Sequence, residues 1–254
     1  MQQTDKAHTF HALHVKGSPL ILYNIWDAGS AAAVAEAGAK ALATGSWSVA
    51  AAHGFGDGEK IPVEFLAQVA RRIAETVDLP LSVDFEGAYA TDPQGAADNV
   101  SRILDAGAVG INFEDQIVGG SGLHTIADQA KRIAAIRAMA EVRGVPLFIN
   151  ARTDLFLKES ERDRHSGLIE EAKERAKAFA DAGASGFFAP ALVDEVLIED
   201  LCDASPLPVN IMAMKSAPDA ATLGQLGVAR ISHGPGPYRA TMASLKDAAA
   251  AVYG

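Results

Sequence analysis

Glu36-Ala37-Gly38-Ala39, Asp105-Ala106-Gly107-Ala108 and Asp181-Ala182-Gly183-Ala184 are near copies of one tetrapeptide. Each copy follows an Ala-rich segment with a helical pattern and precedes a short apolar run. A glycine can end a helix in the left-handed conformation because it has no Cβ atom. The repeated tetrapeptide therefore predicts points where a helix ends and a buried strand begins a few residues later.

Eight short apolar runs are found when the chain is read outward from these boundaries. Helical patterns lie between them, for example at 62–77, 93–106, 125–142 and 167–182. Near-continuous apolar runs are typical of parallel strands covered on both faces, and regular alternation with helices predicts right-handed crossovers. Eight such units favour an α/β fold of the (β/α)₈ TIM-barrel type over an open sheet. The predicted strands are 20–26, 41–44, 81–84, 110–113, 147–151, 186–189, 209–212 and 230–232.

Length and composition agree with a single barrel. The chain has 254 residues, of which 49% are hydrophobic and 21% are charged. One barrel typically needs roughly 250 residues. No linker or low-complexity segment interrupts the sequence, so we predict one barrel domain over residues 1–254 with a short N-terminal helix.

The charge balance and the cysteine count exclude several classes of protein. A net charge of −10 and the lack of a basic run argue against nucleic acid as a partner. Cys202 is the only cysteine, so neither an intrachain disulfide nor a cysteine-based zinc site can form. No apolar run has the length of a membrane span, and the N-terminus lacks the apolar core of a secretory signal. We therefore predict a cytoplasmic protein without a membrane partner.

Polar residues are concentrated at the ends of the predicted strands. In a barrel, the carboxyl ends of the strands meet at one mouth, where active sites are built. The sequence therefore predicts a polar site at this mouth. The residues concerned are Asp27, Thr44-Gly45-Ser46, Asp84-Phe85-Glu86, Glu114-Asp115, Arg152-Thr153-Asp154, Asn210 and His233.

Three of these acids are candidate metal ligands. Asp84 and Glu86 are two residues apart at a strand end, so alternation predicts that their side chains point the same way. Glu114, one strand along, would supply a third oxygen. An all-oxygen, carboxylate-rich site suits Mg²⁺ or Mn²⁺. The residues alone leave one alternative, in which these acids form salt bridges with Arg152 or Lys215.

Other candidate residues have two interpretations each. Arg152 could clamp a substrate carboxylate or phosphonate, or it could neutralise a neighbouring acid. Ser46 and the backbone N–H groups of 44–47 could form an oxyanion pocket or a simple turn. Asp57 lies in a Gly-rich loop that could be a lid over the site or an ordinary surface loop.

Four strand-end motifs, taken in order, resemble the isocitrate lyase / phosphoenolpyruvate mutase superfamily. The resemblance extends from Leu20 to about Ala243. Each motif is short, but their order and their positions make the combination specific. The motifs are Asn24-Ile25-Trp26-Asp27-Ala28, Asp84-Phe85-Glu86-Gly87-Ala88-Tyr89, Asn112-Phe113-Glu114-Asp115-Gln116 and Asn150-Ala151-Arg152-Thr153-Asp154.

The resemblance implies a Mg²⁺-dependent barrel, usually a homotetramer, that acts on 2-oxo or 2-hydroxy carboxylates through an enolate. It implies that Asp84 lies closest to the metal, and that Glu86, Glu114 and Asp57 hold the metal directly or through water. Arg152 corresponds to the substrate-clamping arginine, and Ser46 and Trp47 lie in the segment that cradles the substrate carboxylate. We predict catalytic roles for three residues and substrate contacts for four. The catalytic residues are Arg152, Asp57 and Ser46, and the contacts are Trp47, Ser46, Arg152 and Asn210.

Departures from the family pattern decide between the possible reactions. The lyases carry a Lys-Cys-Gly-His gating segment, but this chain has Ile117-Val118-Gly119-Gly120-Ser121-Gly122 there. The longer gating loop of the phosphonate enzymes is also missing, and Pro190 replaces a histidine found in several mutases. We therefore predict a Mg²⁺- or Mn²⁺-dependent carbon–carbon lyase, for example an oxaloacetate decarboxylase, that assembles as a homodimer or homotetramer. The alternatives are a phosphonomutase or phosphonopyruvate hydrolase, and a catalytically silent barrel that binds a metal and a carboxylate.

Overall fold

Eight parallel strands form the centre of the computed structural model, which describes residues 1–254. Neighbouring strands are hydrogen-bonded in a single sheet, and an isolated parallel bridge between Ile25 and Thr44 connects its two edges. The sheet is thus a nearly closed barrel, which confirms the predicted (β/α)₈ fold. The strands are β1 (Leu20–Leu22), β2 (Leu42–Ala43), β3 (Leu81–Asp84), β4 (Gly110–Glu114), β5 (Phe148–Arg152), β6 (Gly186–Ala189), β7 (Val209–Met212) and β8 (Arg230–Ser232), in the order β1-β8-β7-β6-β5-β4-β3-β2.

Eleven α-helices and one 3₁₀ helix, Arg162–Leu168, accompany the strands. The predicted helices at 62–77, 93–106, 125–142 and 167–182 correspond to observed helices at Val63–Thr76, Pro93–Asp105, Ile126–Val142 and Ile169–Asp181. No helix is both long enough and apolar enough to cross a membrane. The helices are α1 (Gln3–Ala12), α2 (Ala28–Glu36), α3 (Ser46–Ala52), α4 (Val63–Thr76), α5 (Pro93–Asp105), α6 (Ile126–Val142), α7 (Leu155–Lys158), α8 (Ile169–Asp181), α9 (Glu195–Ala204), α10 (Ala220–Gln225) and α11 (Gly236–Tyr253).

The repeated tetrapeptide ends three helices in the expected way. Gly38, Gly107 and Gly183 have φ values of 98°, 98° and 96°, which residues with a Cβ atom rarely adopt. Asp92 caps the start of α5, where its side chain accepts a hydrogen bond from the backbone of Gly95. Local chemistry therefore fixes these element boundaries.

The first strand is shorter than predicted, and a buried side chain just beyond it contributes to the closure of the barrel. Asn24 donates from Nδ2 to the carbonyl oxygen of Thr44 at 2.8 Å, and its Oδ1 accepts from the backbone N–H of Gly234 at 2.8 Å. The segment after β1 is thereby joined to the segments after β2 and β8. Asn24 closes the barrel at its mouth, where regular strand pairing between β1 and β2 is absent.

The N-terminal helix covers the opposite end of the barrel. Phe10 of α1 is fully buried beside Phe148 and packs with Leu20 and Val109 at the starts of their strands. A Cβ atom on Gly110 would lie 2.8 Å from the Phe10 ring, so this glycine makes room for the aromatic side chain. The predicted N-terminal helix is present and forms the floor of the barrel.

Alternating strand residues divide the interior into an apolar layer and a polar layer. Val83, Ile111 and Ile149 belong to the large core cluster, which includes buried residues of the surrounding helices. Asn112 and Asn150, each next to one of these isoleucines, are buried and hydrogen-bonded to each other at 2.8 Å. The space enclosed by the barrel therefore contains polar side chains directly below the mouth.

Candidate active site

A cavity of about 220 Å³ opens at the carboxyl ends of the strands. It combines carboxylate, guanidinium, amide and aromatic groups. Five of the eight predicted site residues line it, namely Ser46, Trp47, Asp57, Asp84 and Arg152. The other lining residues are Asn24, Gly45, Asn112, Leu157, Phe188, Pro190, Met212, Ser232, Gly234, Pro235 and Arg239.

Three predicted site residues lie outside the cavity lining. Glu86 and Glu114 are 5% and 4% exposed, and each contacts other protein groups. Asn210 is buried and donates from Nδ2 to the hydroxyl of Ser232 at 3.1 Å. Glu114 and Asn210 contact lining residues, Arg152 and Ser232, and the functional roles of all three residues stay predictions.

Asp84 has one carboxylate oxygen without a partner. Its Oδ2 accepts a hydrogen bond from the backbone N–H of Ser46 at 2.9 Å, and its own N–H donates to the hydroxyl of Thr44. Its Oδ1 is buried and accepts no hydrogen bond. A buried carboxylate oxygen is costly unless a donor or a cation is present. This oxygen fits a metal ligand, whereas the Ser46 N–H, expected in an oxyanion pocket, is used by Asp84.

Glu86 lies beyond the end of β3, which stops at Asp84, so regular strand alternation does not extend to it. Glu86 has a φ of 49°, and its Oε2 accepts a hydrogen bond from the backbone N–H of Glu59 at 2.8 Å. Burial, with a further contribution from Asp57, raises the pKa of the Glu86 carboxyl to about 8. Asp84 and Glu86 thus accept hydrogen bonds from different backbone segments, and their predicted common orientation stays a prediction.

Arg132 and Asn99, which no sequence motif indicated, hold the turn after Glu86. Ala88 and Tyr89 also have positive φ values, 60° and 56°, which are unusual for residues with a side chain. Arg132 donates to the carbonyl oxygens of Gly87 and of the residue after Tyr89, and Asn99 donates to that of Ala88 at 3.0 Å. These contacts stabilise a strained turn beside the site. Both residues lie on surrounding helices, where no motif marked them.

Arg152 combines the two interpretations that the sequence left open. It lines the cavity, and it also forms ion pairs with Glu114 at 3.0 Å and with Asp154 at 2.5 Å. Burial alone would lower the pKa of Arg152, but Glu114 and Asp154 raise it. Burial raises the pKa of the Glu114 carboxyl, and the Arg152 guanidinium opposes this rise. The predicted clamp is thus fixed in place by acids on both sides.

Polar residues inside the barrel hold Asn112, which lines the cavity, in place by hydrogen bonds. Oδ1 of Asn112 accepts hydrogen bonds from Asn150 at 2.8 Å and from Nη2 of Arg230 at 3.1 Å. With its oxygen so engaged, Asn112 presents its amide N–H groups toward the cavity that it lines. Arg230 is 1% exposed, and burial lowers its pKa to about 9 despite the favourable charge of Asp84. A lone arginine in an apolar run was the available sequence signal for this network.

The acids around the cavity fit a cation. Burial and the charge of Asp84 raise the pKa of Asp57, and Asp57 and Asp84 in turn raise that of Glu86. For both carboxyl groups burial is the largest cause, and the neighbouring acids add to it because like charges disfavour the ionised form. In this arrangement, no three His, Cys, Asp or Glu side chains are grouped closely enough to hold a metal by themselves. Asp84, which has the unpartnered oxygen, is the best-placed ligand.

The nearly closed barrel has an acid-rich cavity at the carboxyl ends of its strands. Enzymes with this fold have their active sites at the same end. The model of the phosphoenolpyruvate phosphomutase family matches residues 10–253. The chain belongs to this family, which confirms the resemblance seen in the strand-end motifs. Its relatives in the superfamily include lyases and mutases.

Two curated relatives illustrate the range of the family. An uncharacterized protein of Mycobacterium tuberculosis is 34% identical, and the match covers 96% of this chain and 88% of the relative. The 2-methylisocitrate lyase of Escherichia coli is 28% identical, with coverage of 82% of this chain and 71% of the enzyme. The similarity to a 2-methylisocitrate lyase thus extends over most of this chain.

Solved structures share the fold over nearly the whole chain. A candidate phosphonomutase from Burkholderia cenocepacia has 46% identity and a TM-score of 0.94, covering 97% of this chain and 98% of the other. A phosphonopyruvate hydrolase, solved with oxalate and Mg²⁺, has 20% identity and a TM-score of 0.84, with 98% and 87% coverage. At this lower identity, the second likeness shows the shared fold alone.

Proposed function

We propose that this protein is a Mg²⁺-dependent carbon–carbon lyase that acts on a small 2-oxo or 2-hydroxy carboxylate, for example oxaloacetate. The observation that carries the proposal is the buried, unpartnered Oδ1 of Asp84 in a cavity that also contains Arg152. The first group suits a cation and the second suits an anion, so together they would bind a cation and a carboxylate side by side.

We propose Asp84 as the direct ligand of Mg²⁺ or Mn²⁺, with Asp57, Glu86 and Glu114 acting directly or through water. Mg²⁺ commonly keeps several waters and needs only one or two carboxylates. When bound, Mg²⁺ would polarise the substrate carbonyl and stabilise the negative charge that bond cleavage leaves. The Mg²⁺ and oxalate in the phosphonopyruvate hydrolase structure support this choice of cation.

Arg152 would bind and orient the substrate carboxylate. Three of its five N–H groups face Glu114 and Asp154. The remaining two can reach a ligand in the cavity that Arg152 lines. Because both acids fix the guanidinium, little side-chain entropy would be lost on binding.

Asp57 and Ser46 are the proposed proton-handling groups. Asp57 lines the cavity, and burial together with the charge of Asp84 raises the pKa of its carboxyl group. The Ser46 hydroxyl has no intramolecular hydrogen bond, although its backbone N–H does. One of these two groups would deliver a proton to the carbon from which the neighbouring group leaves in the cleavage step. Trp47 and Asn210 would complete the proposed substrate contacts.

Pyruvate release from a panel of acids tests the proposal. The panel contains oxaloacetate, 2-methylisocitrate and phosphonopyruvate, each with Mg²⁺ and again with EDTA. We expect enzyme-dependent release with Mg²⁺, above the background that the metal alone produces, and its loss with EDTA. Release that is indifferent to EDTA would contradict metal dependence.

A second candidate function is phosphonomutase or phosphonopyruvate hydrolase activity. The observation that favours it is the 46% identity to the candidate phosphonomutase. This alternative predicts a changed ³¹P NMR spectrum when phosphonopyruvate is incubated with the protein and Mg²⁺. An unchanged spectrum at high enzyme concentration would exclude it.

The third possibility is a barrel that binds metal and carboxylate without chemistry. It predicts thermal stabilisation by Mg²⁺ with oxalate but no turnover of any acid.

We further propose a cytoplasmic homodimer or homotetramer. The helix α11 supports assembly, since Leu245, Val252 and Tyr253 on it are 61%, 80% and 90% exposed.

A further inference from the structure

Arg230 is a buried positive charge without a protein counter-ion, and it lies inside the barrel below the cavity. Its side chain is 1% exposed and forms no ion pair, while Asp84 favours its charge only from a distance. Its Nη1 also has no hydrogen-bond partner. Because an uncompensated buried charge is costly, an anion bound in the cavity above would offset part of that cost.

Arg230 uses one edge of its guanidinium to hold two residues that line the cavity. Nη2 donates to Oδ1 of Asn112 at 3.1 Å, and Nε donates to Oγ of Ser232 at 3.2 Å. Nε and Nη2 form one fork of parallel donors, so the two acceptor atoms lie side by side. Asn112 and Ser232 are themselves buried, with exposures of 4% and 2%. One guanidinium therefore holds side chains of β4 and β8 next to each other.

The hydrogen bonds inside the barrel leave Asn112 and Ser232 with only donors for the cavity. Oδ1 of Asn112 also accepts from Asn150 at 2.8 Å, so both of its lone pairs are used. Oγ of Ser232 also accepts from Nδ2 of Asn210 at 3.1 Å, which occupies its second lone pair. Nδ2 of Asn112 and the hydroxyl hydrogen of Ser232 are donated to no protein group. A ligand in the cavity therefore meets one N–H and one O–H donor.

We propose that Asn112 and Ser232 form a donor pair that binds a negatively charged oxygen of the substrate, and that Arg230 is the positioning residue of this pair. Arg230 orients the two donors and supplies the positive charge behind them. Fixed donors directed at one oxygen are an arrangement by which enzymes stabilise anionic oxygens. The inference rests on the proposed function for the ligand, a small carboxylate. It adds a binding element to Asp84 and Arg152.

Asn112→Asp tests the donor pair without changing its shape. The variant keeps an acceptor for Asn150 and gives Arg230 a counter-ion, but an oxygen replaces the N–H donor. Affinity and stability should therefore separate. We expect oxalate to bind at least about 100-fold more weakly than to the wild type, with a free energy of unfolding that is equal or higher at pH 7. Isothermal titration calorimetry, with and without Mg²⁺, and urea denaturation measure the two quantities.

Leu157→Asp is the matched control for added charge, since Leu157 lines the same cavity but is 45% exposed and lies outside this network. Its oxalate affinity should stay within about threefold of wild type, because water and salt screen an exposed charge. Ser232→Ala removes one donor without adding charge and should weaken oxalate binding about tenfold or more. Arg230→Met should weaken it to a similar extent, and Arg230→Lys should retain part of the affinity because the charge stays.

An unchanged oxalate affinity in Asn112→Asp would overturn the inference, and so would an equal loss in Leu157→Asp. A clear loss of stability in Asn112→Asp would contradict the unmatched charge assigned to Arg230. The Mg²⁺ dependence reports separately on the proposed function. Oxalate binding that is indifferent to Mg²⁺ but lost in Asn112→Asp would contradict the metal site and support the donor pair. Mg²⁺-dependent binding that is equal in both proteins would do the reverse, and a wild type that binds no oxalate would contradict both.

Discussion

Nη1 of Arg152 lies 3.0 Å from Oε2 of Glu114, so a predicted substrate clamp and a predicted metal ligand form one buried ion pair. Asp154 holds the same guanidinium from the other side, through Nε and Nη2. Ion pairs in such surroundings are costly to break, because the remaining charge stays away from water. Site geometry and folding stability are therefore linked at this position.

Arg152→Met should destabilise the fold by about 3–5 kcal/mol, since it leaves two buried acids without their counter-ion. Urea denaturation at pH 7 measures this loss as a change in the free energy of unfolding. Arg152→Met combined with Glu114→Gln should recover part of the loss, because the second change removes one uncompensated charge. An equal or larger loss in the double variant would contradict the account of this pair.

Asn24→Ala should destabilise the fold by about 1–3 kcal/mol, since it leaves the Thr44 carbonyl and the Gly234 N–H without their partner. The loss is expected because Asn24 joins the two edge strands of the barrel. Chemical denaturation measures it. Gln68→Ala, which truncates an exposed amide on α4, is the matched control and should change stability by about 0.5 kcal/mol at most.

Phe10→Ala should cost about 3–5 kcal/mol, the usual effect of removing a buried ring. Phe10 is fully buried under the barrel, and the space beside Gly110 is shaped to it. Thermal unfolding compares this variant with Phe55→Ala, where the ring is 37% exposed. Similar losses of stability in the two variants would show that the buried Phe10 ring contributes no more than a partly exposed one, which would contradict the account of α1.

The contribution of His14 to stability should fall as the pH is lowered below about 6.5, the ordinary pKa of histidine. Burial, with a further effect of Arg230, lowers the pKa of His14 to about 3 in the folded state. Between these two pKa values, the unfolded chain binds a proton at His14 that the folded chain does not bind. Unfolding is favoured between these two pKa values by about 1.4 kcal/mol per pH unit.

His14→Phe removes this proton uptake and keeps an aromatic ring stacked on Phe148, whose centre lies 4.0 Å from that of His14. The wild type should lose about 2 kcal/mol more than the variant between pH 7 and pH 5. Urea denaturation at both pH values gives the comparison. An equal change in the free energy of unfolding between pH 7 and pH 5 in the two proteins would exclude the proposed contribution of His14 to the pH dependence.

The fold could be predicted from the sequence because local signals repeat along it. Gly107 and Asp92 mark helix boundaries by conformational freedom and by capping, which need no knowledge of distant residues. The length of β1 could not be predicted, since Asn24 bonds to Thr44 and Gly234 across the barrel mouth. Long-range side-chain bonds of this kind leave no periodic signal.

The candidate site was predictable in its position but not in its contacts. Strand-end polarity and the family motifs led to Asp84 and Arg152, which line the cavity. The orientation of Glu86 was not predictable, because it depends on a turn of positive φ held by Arg132 from another element. Arg239 was missed because it lies in a helix and reaches the cavity only through the fold.

The central claim is that Asp84 binds a divalent cation at the barrel mouth. Electron paramagnetic resonance measures it most directly, by titrating Mn²⁺ into the wild type and into Asp84→Asn. We expect one Mn²⁺ site per chain in the wild type, displaced by Mg²⁺, and an affinity at least about 100-fold lower in Asp84→Asn, since a direct carboxylate ligand is lost. Equal Mn²⁺ binding by two equally folded proteins would contradict the claim.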